Sequence, residues 1–108
     1  MRAPGCGRVL DERRILLRRE AEAEIAEAIA WYEARGRGLG ADFLRAFEAA
    51  LSAIKRHPQA FPVIFKEARR AMLRKFPYSV IFTVSADEII IVACFHAKRN
   101  PKRWRKQI

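Results

Sequence analysis

At 108 residues, 51% of them hydrophobic, the chain is long enough for one compact domain but not for two, and it is too apolar to be a disordered protein. Its net charge of +10 is unevenly distributed, because residues 20–48 carry −4 whereas residues 1–19 and 49–108 carry +4 and +10. This asymmetry favours nucleic acid, a ribosome or an acidic protein as partner. The alternative is that the positive charge serves only to keep the protein in solution.

The N-terminal segment shows no hydrophobic periodicity and contains a proline and two glycines, so we predict a flexible tail over residues 1–12. No apolar region follows Arg2, and we therefore expect no signal peptide. Three consecutive apolar residues within Arg14–Arg18 predict a short first strand. We assign residues 13–108 to a single folded domain.

Two amphipathic helices are predicted next. From about Glu20, apolar residues recur at three- and four-residue spacing, and a glycine-rich segment ends this helix. A second apolar stripe predicts a helix from about Ala41 to Arg56, and Pro58 prevents its continuation. The short connection between the helices predicts an antiparallel hairpin. The connecting glycines are Gly36, Gly38 and Gly40.

The C-terminal part of the chain predicts strands. We expect residues 57–67, which contain two prolines, to form an irregular link. Strands are predicted over Arg70–Lys75 and Tyr78–Val84, and the almost wholly apolar run Glu88–Phe95 is typical of a central strand that is covered on both faces. Three successive strands predict an antiparallel meander. The expected fold is α+β, with an N-terminal helical hairpin packed on a small, mainly antiparallel β-sheet.

The cysteines and the hydrophobic runs indicate the cellular compartment. Cys6 and Cys94 have no spacing that predicts a disulfide framework or a metal site, and Cys94 is expected to be a buried thiol. The longest apolar run, Ile89–Phe95, is too short to span a membrane. We therefore predict a cytoplasmic protein without membrane contact, metal or cofactor.

Several short elements follow one another in a distinctive order. They are Arg19–Ile25 after the first strand, Ala30–Glu33, Gly38–Gly40 followed by Phe43 and Leu44, His57–Pro62, Arg69–Tyr78, His96, Arg99, Pro101 and Trp104. In this order they resemble the ParE/RelE superfamily of toxins from bacterial type II toxin–antitoxin modules, on its ParE, or plasmid-stabilisation, side. The resemblance covers roughly residues 13–104.

The resemblance implies both a fold and a biological role. It implies a small sheet packed on a two-helix hairpin, and a cognate antitoxin of the ParD or RelB kind that wraps the toxin and neutralises it in a hetero-oligomer. It also implies growth inhibition by one of two routes. Some members act on DNA gyrase and stall replication, whereas others are ribosome-dependent endoribonucleases that cleave mRNA.

Basic residues of the C-terminal third form the candidate target-binding set. A solvated strand face explains half of the alternation over Arg69–Lys75, but the run from Lys98 to Lys106 contains no acidic residue, which favours a binding role. Trp104 can stack on a base or pin the tail to the sheet. The predicted target-binding residues are Arg69, Arg70, Arg74, Lys75, Lys98, Arg99, Lys102, Arg103 and Trp104.

An endoribonuclease of this superfamily would need to activate a ribose 2′-hydroxyl, stabilise a phosphorane and protonate the leaving oxygen. Its candidate catalytic residues here are Arg70, Arg74, Tyr78, His96 and Arg99. Tyr78 also suits a packed aromatic residue, and His96 a structural histidine. The final residues 106–108 include neither the tyrosine nor the histidine that the resemblance implies for a nuclease. This departure favours binding over catalysis.

Aromatic residues form the candidate antitoxin surface. Trp31 and Tyr32 are adjacent and cannot share one face of a helix, so one of them is expected to face a partner. The predicted antitoxin-binding residues are Trp31, Tyr32, Phe43, Phe61 and Phe65. The leading hypothesis is a toxin that inhibits gyrase by binding. The alternatives are a ribosome-dependent mRNA endoribonuclease and a non-toxic basic RNA-binding module.

Overall fold

Two helices and five strands make up residues 13–98, the part of the chain described by a computed structural model. In chain order the elements are β1 (Arg14–Leu17), α1 (Arg19–Arg35), α2 (Leu39–Arg56), a 3₁₀ turn (Pro58–Ala60), β2 (Val63–Phe65), β3 (Ala68–Met72), β4 (Tyr78–Val84) and β5 (Glu88–His96). The predicted tail, residues 1–12, lies outside the described residues, as do the last ten residues of the predicted domain.

The strands form one mixed sheet in the order β1-β5-β4-β3-β2. The strands from β2 to β5 make an antiparallel meander, as predicted for the last three. β1 pairs in parallel with β5, with Leu17 opposite Ile91. In the sequence, the helical hairpin stands between β1 and the strands of the meander. A register shift opposite Ile81 and Phe82 leaves Val92 of β5 as an extra residue, a β-bulge. The predicted α+β architecture is confirmed.

Two strand predictions were wrong in detail. Val63–Phe65 is a strand within the segment that we expected to be an irregular link. Three residues directly after a proline give too little alternation to reveal a short edge strand. β3 spans Ala68–Met72, not Arg70–Lys75. Lys75 has a φ of 70°, in the left-handed region, which takes it out of the strand and into the turn before β4.

The glycine-rich connection holds the two helices close together. Gly38 has a φ of 90°, a conformation that glycine adopts without steric cost. A Cβ atom at Gly40 would lie 2.9 Å from the carbonyl oxygen of Ile29, so the helices approach too closely here for a side chain. The carboxylate of Glu33 accepts hydrogen bonds from the backbone N–H groups of Gly38 and Gly40, at 3.1 and 2.9 Å. Glu33 of α1 thereby satisfies orphan donors at the start of α2.

The sheet buries residues on both faces. The helical hairpin covers one face, and the helix-side core there includes Phe43, Ile54, Phe82, Ile89 and Ile91. A second cluster packs together on the other face and includes Ala68, Ile81, Val92, Ala93 and Phe95. Strand β5 contributes to both clusters. This confirms the prediction, made from its unbroken apolar run, that it is covered on both faces.

Candidate functional site

A pocket of about 290 Å³ lies between α1 and the C-terminal half of β5. We call it the acidic pocket. It is lined by Glu24, Glu27, Ala28, Trp31, Tyr32, Tyr78, Cys94 and His96. Glu24, Glu27 and Trp31 follow one another at spacings of three and four residues, so one face of α1 presents both carboxylates and the indole.

The acidic pocket exists because strand β5 is longer than its neighbour. β1 ends at Leu17, opposite Ile91, whereas β5 continues to His96. Beyond Ile91 that edge of β5 has no partner strand in the described part of the chain, and α1 takes its place. The backbone N–H of Cys94 donates a 2.8 Å hydrogen bond to Oε1 of Glu24, which supplies the acceptor that a neighbouring strand would have offered.

Cys94 forms part of the pocket lining, but its thiol is unreactive. Cys94 is 1% exposed. Burial is the larger cause, and the negative charge of Glu24 the smaller, of a rise in the thiol pKa to about 12. The thiol is therefore protonated at neutral pH and is a poor nucleophile. The prediction that Cys94 is a buried free thiol is confirmed.

Aromatic rings form the wall between the pocket and the core. Tyr32 stacks on Phe43 with the ring centroids 5.6 Å apart and meets the edge of Phe76 at 4.9 Å. Tyr78 packs edge to face against Phe43 at 5.0 Å and against His96 at 5.4 Å. Edge-to-face contacts of this kind stabilise a fixed ring arrangement. Tyr32 and Tyr78 are therefore held rigidly at the back of the pocket.

Two side chains at the pocket are set by local contacts. Trp31 is 49% exposed, and the guanidinium carbon of Arg35 lies 3.7 Å from the centre of its indole ring. Nδ1 of His96 accepts a 3.1 Å hydrogen bond from the backbone N–H of Lys98. Since Nδ1 accepts, this bond assigns the ring proton to Nε2 in the neutral imidazole.

A second concave surface of about 310 Å³ lies between α2 and β3. We call it the alanine groove. It is lined by Ala46, Ala49, Ala50, Ala53, Arg56, Phe61, Ala71, Met72 and Arg74. The alanines recur at helical spacing on α2 and make a shallow apolar floor, whereas two arginines supply positive charge. Met72 is 51% exposed here, so apolar surface remains open to a partner.

The residues predicted for a nuclease do not gather in one cluster. Tyr78 and His96 are in contact at the acidic pocket. Arg74 lines the alanine groove instead. Arg70 is exposed, and it alternates along β3 with Ala71, which belongs to the helix-side core. Because successive strand residues face opposite sides, Arg70 lies on the other side of the sheet from Tyr78. Arg99 lies outside the described residues.

The predicted target-binding residues have different surroundings. Nη1 of Arg69 donates to the carbonyl oxygens of Phe61 at 2.6 Å and Gln59 at 3.4 Å, so this side chain holds the link before β2. The remaining described members are exposed cations, namely Arg70, Arg74, Lys75 and Lys98. Arg99, Lys102, Arg103 and Trp104 lie outside the described residues.

The predicted antitoxin-binding residues divide between the two concave surfaces. Trp31 and Tyr32 line the acidic pocket, and Phe61 lines the alanine groove. Phe65 is partly buried and packs against the second cluster on the outer face of the sheet. Phe43 is fully buried in the helix-side core, so its ring offers no surface to a partner in this conformation.

Sequence reasoning missed the residues that give each concave surface its character. Neither Glu24 nor Glu27 was among the predicted site residues, although their spacing with Trp31 places all three on one side of α1. The alanines of α2 that line the groove were not among the predicted site residues either. The pairing of β1 with β5 and the presence of β2, which the sequence pattern did not reveal, show that both features face open concave surfaces.

Residues 13–98 show neither a metal-binding cluster nor a membrane-spanning helix. In that range, no group of three or more histidine, cysteine, aspartate or glutamate side chains is placed to hold a metal ion. Neither of the two helices there combines the length and the hydrophobicity of a membrane-spanning segment.

Comparison with known proteins supports the predicted fold and family. The solved structure of a chromosomal ParDE toxin–antitoxin system from P. aeruginosa is similar with a TM-score of 0.59 and 19% identity, over 82% of this chain and 99% of that chain. No curated protein matches the sequence. A family profile described as the ParE toxin of the type II toxin–antitoxin system parDE matches residues 15–101. Since this match spans well over half of the sequence, the chain belongs to the ParE family of type II toxins, a membership that implies an antitoxin partner.

Proposed function

We propose that this toxin inhibits growth by binding DNA gyrase and does not cleave RNA. The observation that carries the proposal is the separation of Arg70 and Arg74, the described cations of the candidate catalytic set, from Tyr78 and His96. Arg70 lies across the sheet from Tyr78, and Tyr78 is packed between the rings of Phe43 and His96. A ribonuclease needs its phosphate-binding cation and its acid–base groups around one phosphate. The arrangement supports docking in preference to catalysis.

The exposed cations supply the docking surface in this proposal. Arg70, Arg74, Lys75 and Lys98 are all exposed, on a chain with a net charge of +10. Lys75 lies in the turn before β4, where its backbone has a φ of 70°. Exposed cations of this kind favour a protein–DNA complex as the target. The affinity of the toxin for that target should decrease as the salt concentration rises. Gyrase acts on chromosomal DNA, so the proposal places the toxin in the cytoplasm.

The test is a gyrase supercoiling and cleavage-complex assay with the purified toxin. We expect the toxin to inhibit supercoiling, and Arg74→Glu to raise the required concentration by about tenfold or more, since charge reversal adds repulsion. Arg37→Glu, an exposed arginine in the helix connection, is the matched control and should change inhibition by about twofold or less. A wild-type toxin that alters neither supercoiling nor cleavage would refute the proposal.

Endoribonuclease activity is the second candidate, and it is favoured by the contact between Tyr78 and His96 at the wall of a pocket. Primer extension on translated messages after toxin induction distinguishes it from gyrase inhibition. New cleavage ends that disappear in Tyr78→Phe and His96→Ala would establish the nuclease. Unchanged message ends, together with inhibited supercoiling, would eliminate it.

For the antitoxin, we propose a ParD-like partner that forms a hetero-oligomer by laying an amphipathic helix in the alanine groove. Apolar side chains would pack on the alanine floor, and acidic side chains would pair with Arg56 and Arg74. Ala49→Glu should weaken the complex by about tenfold or more, because it fills the groove and repels acidic residues. Ala41→Glu, exposed on α2 but outside the groove, is the matched control. Equal affinities of the two variants, measured by calorimetry, would contradict this placement.

A further inference from the structure

We propose that the acidic pocket receives an arginine side chain of the antitoxin. The inference rests on the antitoxin partner that family membership implies, but it concerns a different surface from the alanine groove and from the proposed gyrase contact. The pocket combines two carboxylates with three aromatic side chains in a volume of about 290 Å³. Carboxylates and aromatic faces are the two kinds of group that a guanidinium binds best.

The carboxylates give the pocket its charge selectivity. Glu24 is anchored at the back of the pocket by the 2.8 Å hydrogen bond from the N–H of Cys94, which fixes one negative charge close to β5. Glu27 is exposed one turn along α1, where its carboxylate can pair with a cation that enters from solvent. A planar guanidinium makes two parallel hydrogen bonds to one carboxylate, which an ammonium group cannot do. This chemistry favours arginine over lysine.

The aromatic side chains favour the same ligand. Arg35 already stacks its guanidinium on Trp31 at 3.7 Å, so this indole accepts that group on one of its faces. Tyr32 and Tyr78 are held rigidly by their contacts with Phe43, and they provide further ring surface without loss of conformational entropy on binding. The pocket is therefore organised before a ligand arrives.

Charge and exposure point to a partner protein as the source of the arginine. Trp31 is 49% exposed at the pocket, and tryptophan and arginine are the residue types that most often dominate binding energy in protein interfaces. The region from 20 to 48 carries −4 on a chain of +10, so an antitoxin that covers both parts of the toxin must itself carry both signs of charge. The competing source is this chain's own C-terminal segment, whose cations follow Lys98 in the sequence.

The first experiment uses Nα-acetylarginine amide as the probe and the fluorescence of Trp31 as the signal, in the full-length chain with Trp104→Phe. We expect saturable binding in the millimolar range, and at least about fivefold weaker binding for Glu27→Gln, which keeps the shape of the side chain but removes its charge. Glu22→Gln, on α1 but outside the pocket, is the matched control and should bind the probe normally. Nα-acetylcitrulline amide, the neutral analogue, should not bind. Equal binding of the two probes, or an unchanged affinity in Glu27→Gln, overturns the proposal.

A second experiment identifies the source of the arginine. In the complex with the cognate antitoxin, each antitoxin arginine is replaced by glutamine, alone and together with Glu27→Gln. One arginine should show a coupling of about fivefold or more, and coupling with none of them overturns the assignment. A full-length variant with Arg99→Gln, Arg103→Gln and Arg105→Gln tests the internal source. Tighter probe binding by this variant would mean that the chain's own tail occupies the pocket, which also overturns the assignment. Neither experiment involves gyrase, so failure here leaves the proposed target untouched.

Discussion

The acidic pocket and the alanine groove lie beside the same helical hairpin, but they differ in almost every chemical respect. The pocket beside α1 has two carboxylates and several aromatic rings, whereas the groove beside α2 has five alanines and two arginines. Each has a volume close to 300 Å³, so size does not separate them. The comparison teaches that a strongly basic protein can present surfaces of both signs, and that one partner covering both must be complementary to each.

The two concave surfaces have a common structural origin. β1 has four residues against nine in its neighbour β5, and β2 has three against five in its neighbour β3. Where a short edge strand ends, the longer strand beside it is left without a neighbour, and a helix crosses the resulting gap. Beside β5 the helix is α1, whose Glu24 binds the backbone of that strand. Beside β3 it is α2, which presents four alanines and Arg56. The helix sequence therefore sets the chemistry of each surface.

Phe43→Ala should have the largest effect, because this ring supports the aromatic wall of the acidic pocket from the core. Phe43 is fully buried and contacts Tyr32, Phe76 and Tyr78. Removing it leaves a cavity at the junction of the hairpin and the sheet, and we expect a loss of about 3–5 kcal/mol in the free energy of unfolding. Urea denaturation followed by circular dichroism measures this loss.

The neighbouring residue provides the control for that experiment. Leu44 is 39% exposed on the same helix, so Leu44→Ala removes a similar kind of group without making a deep cavity. We expect it to cost less than about 1 kcal/mol. If both variants lost the same stability, Phe43 would not be the residue that fixes the separation of helix and sheet.

Gly40→Ala should have the next largest effect, because Gly40 sets the distance between α1 and α2. The new Cβ would lie 2.9 Å from the carbonyl oxygen of Ile29 and 3.1 Å from Oε1 of Glu33. Since the first of these is a backbone atom, the helices must separate, and we expect a net cost of about 1–2 kcal/mol. The separation would also displace the glutamates of one surface relative to the alanines of the other, so antitoxin affinity should fall with stability.

Gly36→Ala is the matched control for this substitution. The nearest atom to its new Cβ is Cδ1 of Leu39, also at 2.9 Å, but this is the end of a flexible side chain that can rotate away. We expect a change within about 0.5 kcal/mol. Thermal denaturation of the two variants in parallel would distinguish the cost of a clash with backbone from that of a clash with a side chain. Equal losses of stability would disprove the proposed role of Gly40.

The architecture was largely predictable because its signals are local. The apolar stripe of α2, the glycines after α1 and the unbroken run in β5 each predicted the observed element. The short strand β2 and the parallel pairing of β1 were not predictable in this way, because three or four residues carry too little periodicity and pairing partners depend on the whole sheet.

The candidate sites were predicted less well, for a related reason. The basic residues of β3 looked equivalent in the sequence, but the structure shows Arg69 bound to backbone carbonyls and Arg70 exposed. Which partner a guanidinium finds depends on long-range packing. Of the adjacent residues Trp31 and Tyr32, one was expected to face outward, because adjacent helix positions cannot point the same way. The structure shows that Trp31 is exposed and Tyr32 is half-buried, a choice that the sequence did not make.

The smallest of the expected effects concerns Cys94, a buried residue that lines the acidic pocket. Burial first, and the charge of Glu24 second, raise the pKa of its thiol from 9.0 to about 12. Between these two values the unfolded chain has lost the thiol proton that the folded chain retains, so the stability of the fold must decrease as the pH rises. The decrease from pH 8 to pH 10 should be about 1.4 kcal/mol.

Cys94→Ala removes this titration and should flatten the dependence of unfolding free energy on pH in that range. Urea denaturation at pH 8, 9 and 10 measures the slope for both proteins, and Cys6→Ala is the control for a thiol at another position. The comparison of slopes is more informative than the absolute stabilities, because the alanine variant also loses packing at the pocket floor. Identical slopes for the wild-type and Cys94→Ala proteins would show that the thiol is accessible to water. The acidic pocket would then be open at its floor as well as at its entrance, and its carboxylates would be too well hydrated to select an arginine.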